Sequence, residues 1–134
     1  MPKFNKVLLV DDDPITVLVC ERILQFTGFA EKIIPLKNGQ EALDYVERYL
    51  LNAPEQLPEI IFLDLNMPVM DGWEFLEKYQ YLKPSSGVMP AVYILSSTVD
   101  PEDKSRGLAY AYVRKFISKP LTKEHLNEIE PVQK

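Results

Sequence analysis

The stretch Ile60-Ile61-Phe62-Leu63-Asp64 constrains this chain most. Four consecutive apolar residues run straight into one carboxylate, and Asn66-Met67-Pro68 and Asp71-Gly72 follow. An apolar run of this length closed by turn residues predicts a strand buried on both faces, the place of a central strand in a parallel sheet. Open α/β sheets take their ligands at the carboxyl ends of such strands. Aspartate also favours ordinary turns, so the stretch alone leaves Asp64 divided between a site residue and a turn cap.

The rest of the chain supplies the context. Residues 6–10 form another short apolar run that stops at Asp11-Asp12-Asp13. Pro14 suits the first position of a helix, with Asp13 as its N-cap. Val19, Cys20, Ile23 and Thr27 recur at helical spacing and Gly28 is a fitting stop, which predicts a helix over 14–27. Residues 30–36 read as a strand, but Glu31, Lys32 and Pro35 assign it to a sheet edge, since proline cannot donate to a ladder. Asn38-Gly39 leads into a helix with an apolar stripe at Ala42, Leu43, Val46 and Leu50. Residues 52–58 are polar and read as a loop.

After the strand at 60–63, a helix starting at Gly72 carries Phe75, Leu76 and Tyr79, and 83–89 is a loop. Residues 91–95 make a fourth strand that stops at Ser96-Ser97-Thr98. Asp100-Pro101 opens a helix that continues to Tyr110. Residues 112–117 form a fifth strand, and Arg114 and Lys115 mark it as another edge. Thr122 caps a last short helix that ends before Pro131. Strands alternating with helices imply an α/β fold: a doubly wound, five-stranded parallel sheet with helices on both faces. Apolar strands at the centre and charged ones at the edges give the order 2-1-3-4-5 with right-handed crossovers. That order brings the ends of the first, third and fourth strands together, and with them Asp11-Asp12, Asp64 and Ser96.

With 134 residues, 46% of them hydrophobic, the chain fits one compact domain, 1–134 with a core of about 5–130. The net charge of −5 argues against direct, non-specific nucleic-acid binding. Cys20 is the only cysteine, so an intrachain disulfide and a CxxC metal site are both excluded. There is no signal-peptide core and no run near the ~20 apolar residues of a membrane span, so a soluble cytoplasmic domain is expected.

Asp11, Asp12 and Asp64 close together would repel unless a cation were present. All three are hard oxygen ligands without histidine or cysteine, a set that selects Mg²⁺, or Mn²⁺, over zinc or copper. Ser96 and Lys119 offer a hydroxyl and an ammonium suited to phosphoryl oxygens, and a carboxylate can itself accept a phosphoryl group.

Five motifs now stand in order: Leu8-Leu9-Val10-Asp11-Asp12-Asp13; Asn38-Gly39-Gln40-Glu41-Ala42-Leu43; Leu63-Asp64-Leu65-Asn66-Met67-Pro68 with Met70-Asp71-Gly72; Ile94-Leu95-Ser96; and Ser118-Lys119-Pro120. Across essentially its whole length, the chain resembles the receiver domain of two-component response regulators, a flavodoxin-like fold. The resemblance implies that Asp64 is the phospho-acceptor, taking its phosphoryl group from a phosphohistidine. It implies that Asp12 binds Mg²⁺ directly, Asp11 through a water and Asn66 through its backbone carbonyl, alongside Asp64. Lys119 is expected to pair with Asp64 before reaction and with the phosphoryl oxygens after it. Ser96 and Phe116 are the expected switch pair, and the Lys119-Pro120 bond is expected to be cis. Two departures from the common pattern are Ser97 where alanine is frequent and Phe116 where tyrosine is frequent.

The implied partners are a histidine kinase or a histidine phosphotransfer protein upstream and a protein target downstream. The expected state is a monomer or a phosphorylation-dependent dimer, without membrane association. On this reading the chain is a stand-alone regulator without an output domain. It is not an enzyme, beyond assisting its own phosphorylation and dephosphorylation. Three alternatives compete. A Mg²⁺-dependent phosphohydrolase would carry an acid where Asn66 stands. A flavin-binding domain would not place Asp11-Asp12-Asp13 at the phosphate loop. A degenerate receiver would not retain the acidic pair, Asp64, Ser96 and Lys119 together. Among the remaining residues, His125 reads as a surface histidine near the end of the last helix, Trp73 as packing or surface cover, and Cys20 as inert core. Lys104, Arg106, Arg114 and Lys115 read as solvated charge or part of a partner surface.

Overall fold

The structure is a computed structural model that describes residues 2–98 and 100–131; Met1, Val99 and residues 132–134, at the end of the expected 1–134 domain, lie outside the described residues. Its strands are β1 (Phe4–Val10), β2 (Ala30–Leu36), β3 (Ile60–Asp64), β4 (Ala91–Ser96) and β5 (Val113–Ser118). Its helices are α1 (Pro14–Phe26), α2 (Gly39–Leu50), α3 (Gly72–Tyr79), α4 (Pro101–Leu108) and α5 (Lys123–Asn127). A short 3-10 turn, Pro54–Gln56, lies within the loop expected before β3. All pairings are parallel and the sheet order is β2-β1-β3-β4-β5, the expected order, with the proline-containing β2 and the charged β5 at the edges. No helix among the described residues is long and apolar enough to cross a membrane.

The uninterrupted apolar runs follow from the two-sided burial of the central strands. Leu8, Val10, Ile61, Leu63 and Ile94 face one core with Ala42, Leu43 and Val46 of α2 and Phe75, Leu76 and Tyr79 of α3. Val7, Leu9, Ile60, Phe62 and Leu95 face the other, with Cys20 and Leu24 of α1 and Leu126 of α5. Each such fully buried side chain contributes roughly 1.5–3 kcal/mol of transfer free energy. Tyr79 enters its core with the phenol satisfied, its hydroxyl donating to the Pro90 carbonyl at 2.7 Å. Cys20 is buried and unpaired, and burial pushes its thiol up to about 11, which makes it inert packing.

Asp13 caps α1, accepting from the Ile15 N–H at 3.1 Å and the Thr16 hydroxyl at 2.8 Å. The apolar stripe expected on this helix is divided. Cys20 and Leu24, one turn apart, are buried. Val19 points about 100° away from Cys20 and is 46% exposed. It joins Ile15, Leu18 and Phe26 on the outer face. Thr27 is the C-cap rather than a helical residue. At the other end of the chain α4 stops at Leu108, two residues before Tyr110.

His125 is neither terminal nor free in α5. It is the third helical residue, and its Nδ1 accepts the Thr122 N–H at 3.1 Å while its own N–H donates to Thr122 Oγ1 at 3.2 Å. The imidazole thus takes the part that glutamate or glutamine usually plays in a capping box. The Lys119-Pro120 bond is cis.

Candidate functional site

The strand register sets out the site. Val10 pairs with Leu63, Asp64 with Leu95, and Ser96 with Ser118, so the residues that leave β1, β3, β4 and β5 gather at one end of the sheet. Asp11, Asp12 and Asp64 each place a carboxylate oxygen within 4.8 Å of the others. Asp11 and Asp64 are buried, whereas Asp12 is exposed. Lys119 reaches across from the end of β5. Its Nζ is 2.8 Å from Asp11 Oδ2 and 3.4 Å from Asp64 Oδ1. Its backbone is tied to the neighbouring strand β4, the N–H donating to the Ser96 carbonyl at 2.8 Å.

The ion pair expected between Lys119 and Asp64 is present at 3.4 Å, and Lys119 makes a second, shorter bond to Asp11 that was not expected. The second oxygen of Asp11 accepts the Asp13 N–H at 2.9 Å, so both oxygens of the more deeply buried carboxylate are satisfied. Asp64 is left with the longer contact. Burial, and next the charge of Asp11, raise its pKa above the usual carboxylate value; Lys119 and the Asn66 backbone amide offset this only in part. Burial works against the Lys119 ammonium, but its bond to Asp11 and the charge of Asp64 outweigh that and raise its pKa. Lys119 therefore stays cationic.

Ser96 is buried at the end of β4, its hydroxyl closed into a local turn. It donates to the Thr98 carbonyl at 2.8 Å and accepts the Thr98 N–H at 3.2 Å. Phe116 is half-buried on β5 and packs beside Gly107 of α4. Asn66 is exposed two residues beyond Asp64.

Two glycines do more at the site than turn chemistry indicated. A Cβ on Gly72 would lie 2.5 Å from the Asp64 carbonyl oxygen and 2.9 Å from Leu65 Cα. One on Gly39 would lie 2.9 Å from the carbonyl oxygens of both Met70 and Asp71. These contacts fasten the loop after β3 to α2 and α3, and only glycine permits them. Between them Val69 sits at φ 66, with the Met70 N–H donating back to the Pro68 carbonyl at 2.7 Å. A β-branched residue in the left-handed region is a strained backbone, here five residues from Asp64. The exposed valine gave no sign of this in the sequence.

The chemistry of the donor set fits a hard divalent cation: three carboxylates, two of them buried, with one lysine between them. The arrangement combines a partly uncompensated carboxylate, a fixed ammonium and two further oxygen ligands at the mouth of the sheet.

Comparison with known proteins gives the same picture. Residues 7–129 match the family described as the response regulator receiver domain. The probable methanogenesis regulatory protein FilR2 of Methanothrix harundinacea is 32% identical over 90% of this chain and 75% of its own length. A two-component response regulator from Cytophaga hutchinsonii superimposes with a TM-score of 0.83 at 34% identity, covering 93% of this chain and 92% of that one. The chemotaxis response regulator CheY4 of Vibrio cholerae superimposes with a TM-score of 0.72 at 27% identity, over 93% and 94% of the two chains. With its five-stranded sheet, its acidic pocket and a match over nearly its whole length, the chain belongs to the response regulator receiver domain family of two-component signalling.

Proposed function

We propose that this receiver domain accepts a phosphoryl group on Asp64 from the phosphohistidine of a histidine kinase or histidine phosphotransfer protein, and that the acyl phosphate controls contact with a downstream protein. The observation that carries this reading is the meeting of Asp11, Asp12 and Asp64 within 4.8 Å under the Lys119 ammonium. A turn-capping aspartate needs none of these neighbours.

In the reaction a carboxylate oxygen of Asp64 attacks phosphorus and the P–N bond to imidazole breaks. The electron pair leaves with the imidazole, which takes up a proton. Lys119, already cationic, moves its charge from Asp11 and Asp64 toward the phosphoryl oxygens. Ser96 releases Thr98 and donates its hydroxyl to the same oxygens, and Phe116 turns inward into the space this opens. Asp11, Asp12, Asp64 and the Asn66 backbone carbonyl would hold Mg²⁺, which when bound would neutralise charge on the transferring group. The domain contributes positioning and electrostatics, as phosphoryl transfer requires, and it acts as a regulator rather than as an enzyme with turnover.

The exposed apolar residues on the outer face of α1 support a protein donor. Ile15, Leu18, Val19 and Phe26 are 73%, 51%, 46% and 84% exposed and start one turn from Asp12, a patch that suits protein contact. Incubation with a small phosphodonor and Mg²⁺ followed by intact mass tests the reading. One added phosphoryl group is expected, absent from Asp64→Asn and without metal. Many turnovers without an adduct would instead indicate a phosphohydrolase.

A further inference from the structure

The sheet holds α4 by little. Of its residues only Gly107 is buried, and Leu108 is 42% exposed. Gly107 seats the helix so closely that a Cβ there would lie 2.7 Å from Ile94 Cδ1 and 3.5 Å from Phe116 Cδ2. A second attachment is lateral, to α3. The Arg106 guanidinium carbon stands 4.0 Å from the centroid of the Trp73 ring. The Tyr110 hydroxyl, just past the end of α4, donates to Glu77 Oε2 at 3.0 Å. Trp73 and Glu77 are four residues apart on α3 and so share a face, and Arg106 and Tyr110 bracket the end of α4. The two contacts form a clasp with one rung at each residue pair.

The ends of the clasp are anchored where they matter. Trp73 follows Gly72, whose α-carbon lies against the Asp64 carbonyl. Arg106 precedes Gly107, which rests on Ile94 and Phe116. The clasp therefore joins the loop that carries the acidic site to the helix that rests on Ile94 and Phe116. None of the four residues touches the site chemistry itself.

We propose that the Trp73–Arg106 stack and the Tyr110–Glu77 hydrogen bond hold α4 in its unphosphorylated position and oppose the rearrangement that follows loading of Asp64. This rests on Asp64 as the phospho-acceptor and adds the element that sets how readily the loaded state forms. A contact made in one state and lost in the other biases the equilibrium by its own free energy, and the bias appears equally in the affinity of a ligand that selects the second state. One exposed cation–π contact corresponds to about a two- to fivefold change.

The test uses the full chain with Mg²⁺ and beryllofluoride, which takes the place of a phosphoryl group on a carboxylate. Trp73 is the only tryptophan, so its emission reads the clasp directly. In the native chain the emission is expected to change on saturation as the guanidinium leaves the ring. Arg106→Met is expected to start near the saturated emission. Arg106→Met and Tyr110→Phe are each expected to lower the half-saturating beryllofluoride about two- to fivefold, the double variant further, and Arg106→Lys less than Arg106→Met. Circular dichroism melts establish that the variants are folded. Folded variants that saturate at the native concentration, or a native emission that does not respond to saturation measured by nuclear magnetic resonance, would overturn the clasp and leave the acceptor reading standing. Failure of the native chain to bind beryllofluoride with Mg²⁺ would overturn both.

Discussion

Lys119 stands closer to Asp11 than to Asp64: its Nζ is 2.8 Å from Asp11 Oδ2 and 3.4 Å from Asp64 Oδ1. The ammonium thus neutralises first the carboxylate that is 1% exposed, and the one that is 10% exposed keeps an excess of negative potential. That division leaves Asp64 the less compensated carboxylate of the pair, with the Lys119 ammonium 3.4 Å away.

Asp64 should therefore cost the metal-free fold stability. Its folded pKa is raised, by burial first and then by Asp11. For a raised carboxylate the penalty is absent below the unfolded pKa of about 3.9 and fully present above the folded one. Asp64→Asn should raise the metal-free melting point at pH 7, and the advantage should vanish toward pH 3. Melts across pH in a chelator check the sign and the pH range.

Removing Lys119 should do the reverse. Lys119→Met leaves Asp11 buried against Asp64 without a counter-charge, at a cost of about 1–3 kcal/mol for the unpaired group. It should also abolish phosphorylation. Denaturant unfolding of the metal-free protein gives the first quantity and intact mass after phosphodonor treatment the second.

Asp12 is exposed, so Asp12→Ala should change metal-free stability by no more than about 0.5 kcal/mol. Mg²⁺ binds the folded state and should raise the native melting point by mass action. Asp12→Ala should lose most of that rise. An undiminished rise would place the ion elsewhere.

The glycine contacts and the strained valine should give opposite signs within one loop. Gly72→Ala puts a methyl 2.5 Å from the Asp64 carbonyl, and overpacking of this kind costs about 1–3 kcal/mol. It should also displace the acceptor and slow its phosphorylation. Val69→Gly releases a left-handed β-branched residue at φ 66. It should stabilise the fold by about 0.5–1 kcal/mol, the relief of left-handed strain less the added entropy of glycine in the unfolded chain. Paired chemical unfolding curves decide both.

What the sequence made legible follows from how local each cause is. The run 60–64 shows its two-sided burial directly, and Pro35, Arg114 and Lys115 mark the edges, so sheet order and the meeting of Asp11, Asp12 and Asp64 could be read in advance. Asp13 and Thr122 announced their caps because the partners lie within three residues. The outer position of Val19 was hidden, since an apolar residue beside a buried one looks the same whichever way the helix is rotated. The role of His125 in its capping box was hidden because imidazole rarely fills it. The close approach of Gly72 to Asp64 and the stacking of Arg106 on Trp73 join residues from different elements, and neither leaves a periodicity to find.

The most direct measurement is chemical location of the acceptor atom. The chain is treated with a small phosphodonor and Mg²⁺, reduced with borohydride, digested and mapped by tandem mass spectrometry. Borohydride converts an aspartyl acyl phosphate to homoserine and leaves free carboxylates intact. Homoserine is expected at position 64 alone, and neither at 64 without Mg²⁺ nor at 11 or 12 under any condition. Intact Asp64 in a chain that carries the phosphoryl group, or homoserine at another aspartate, would contradict the assignment.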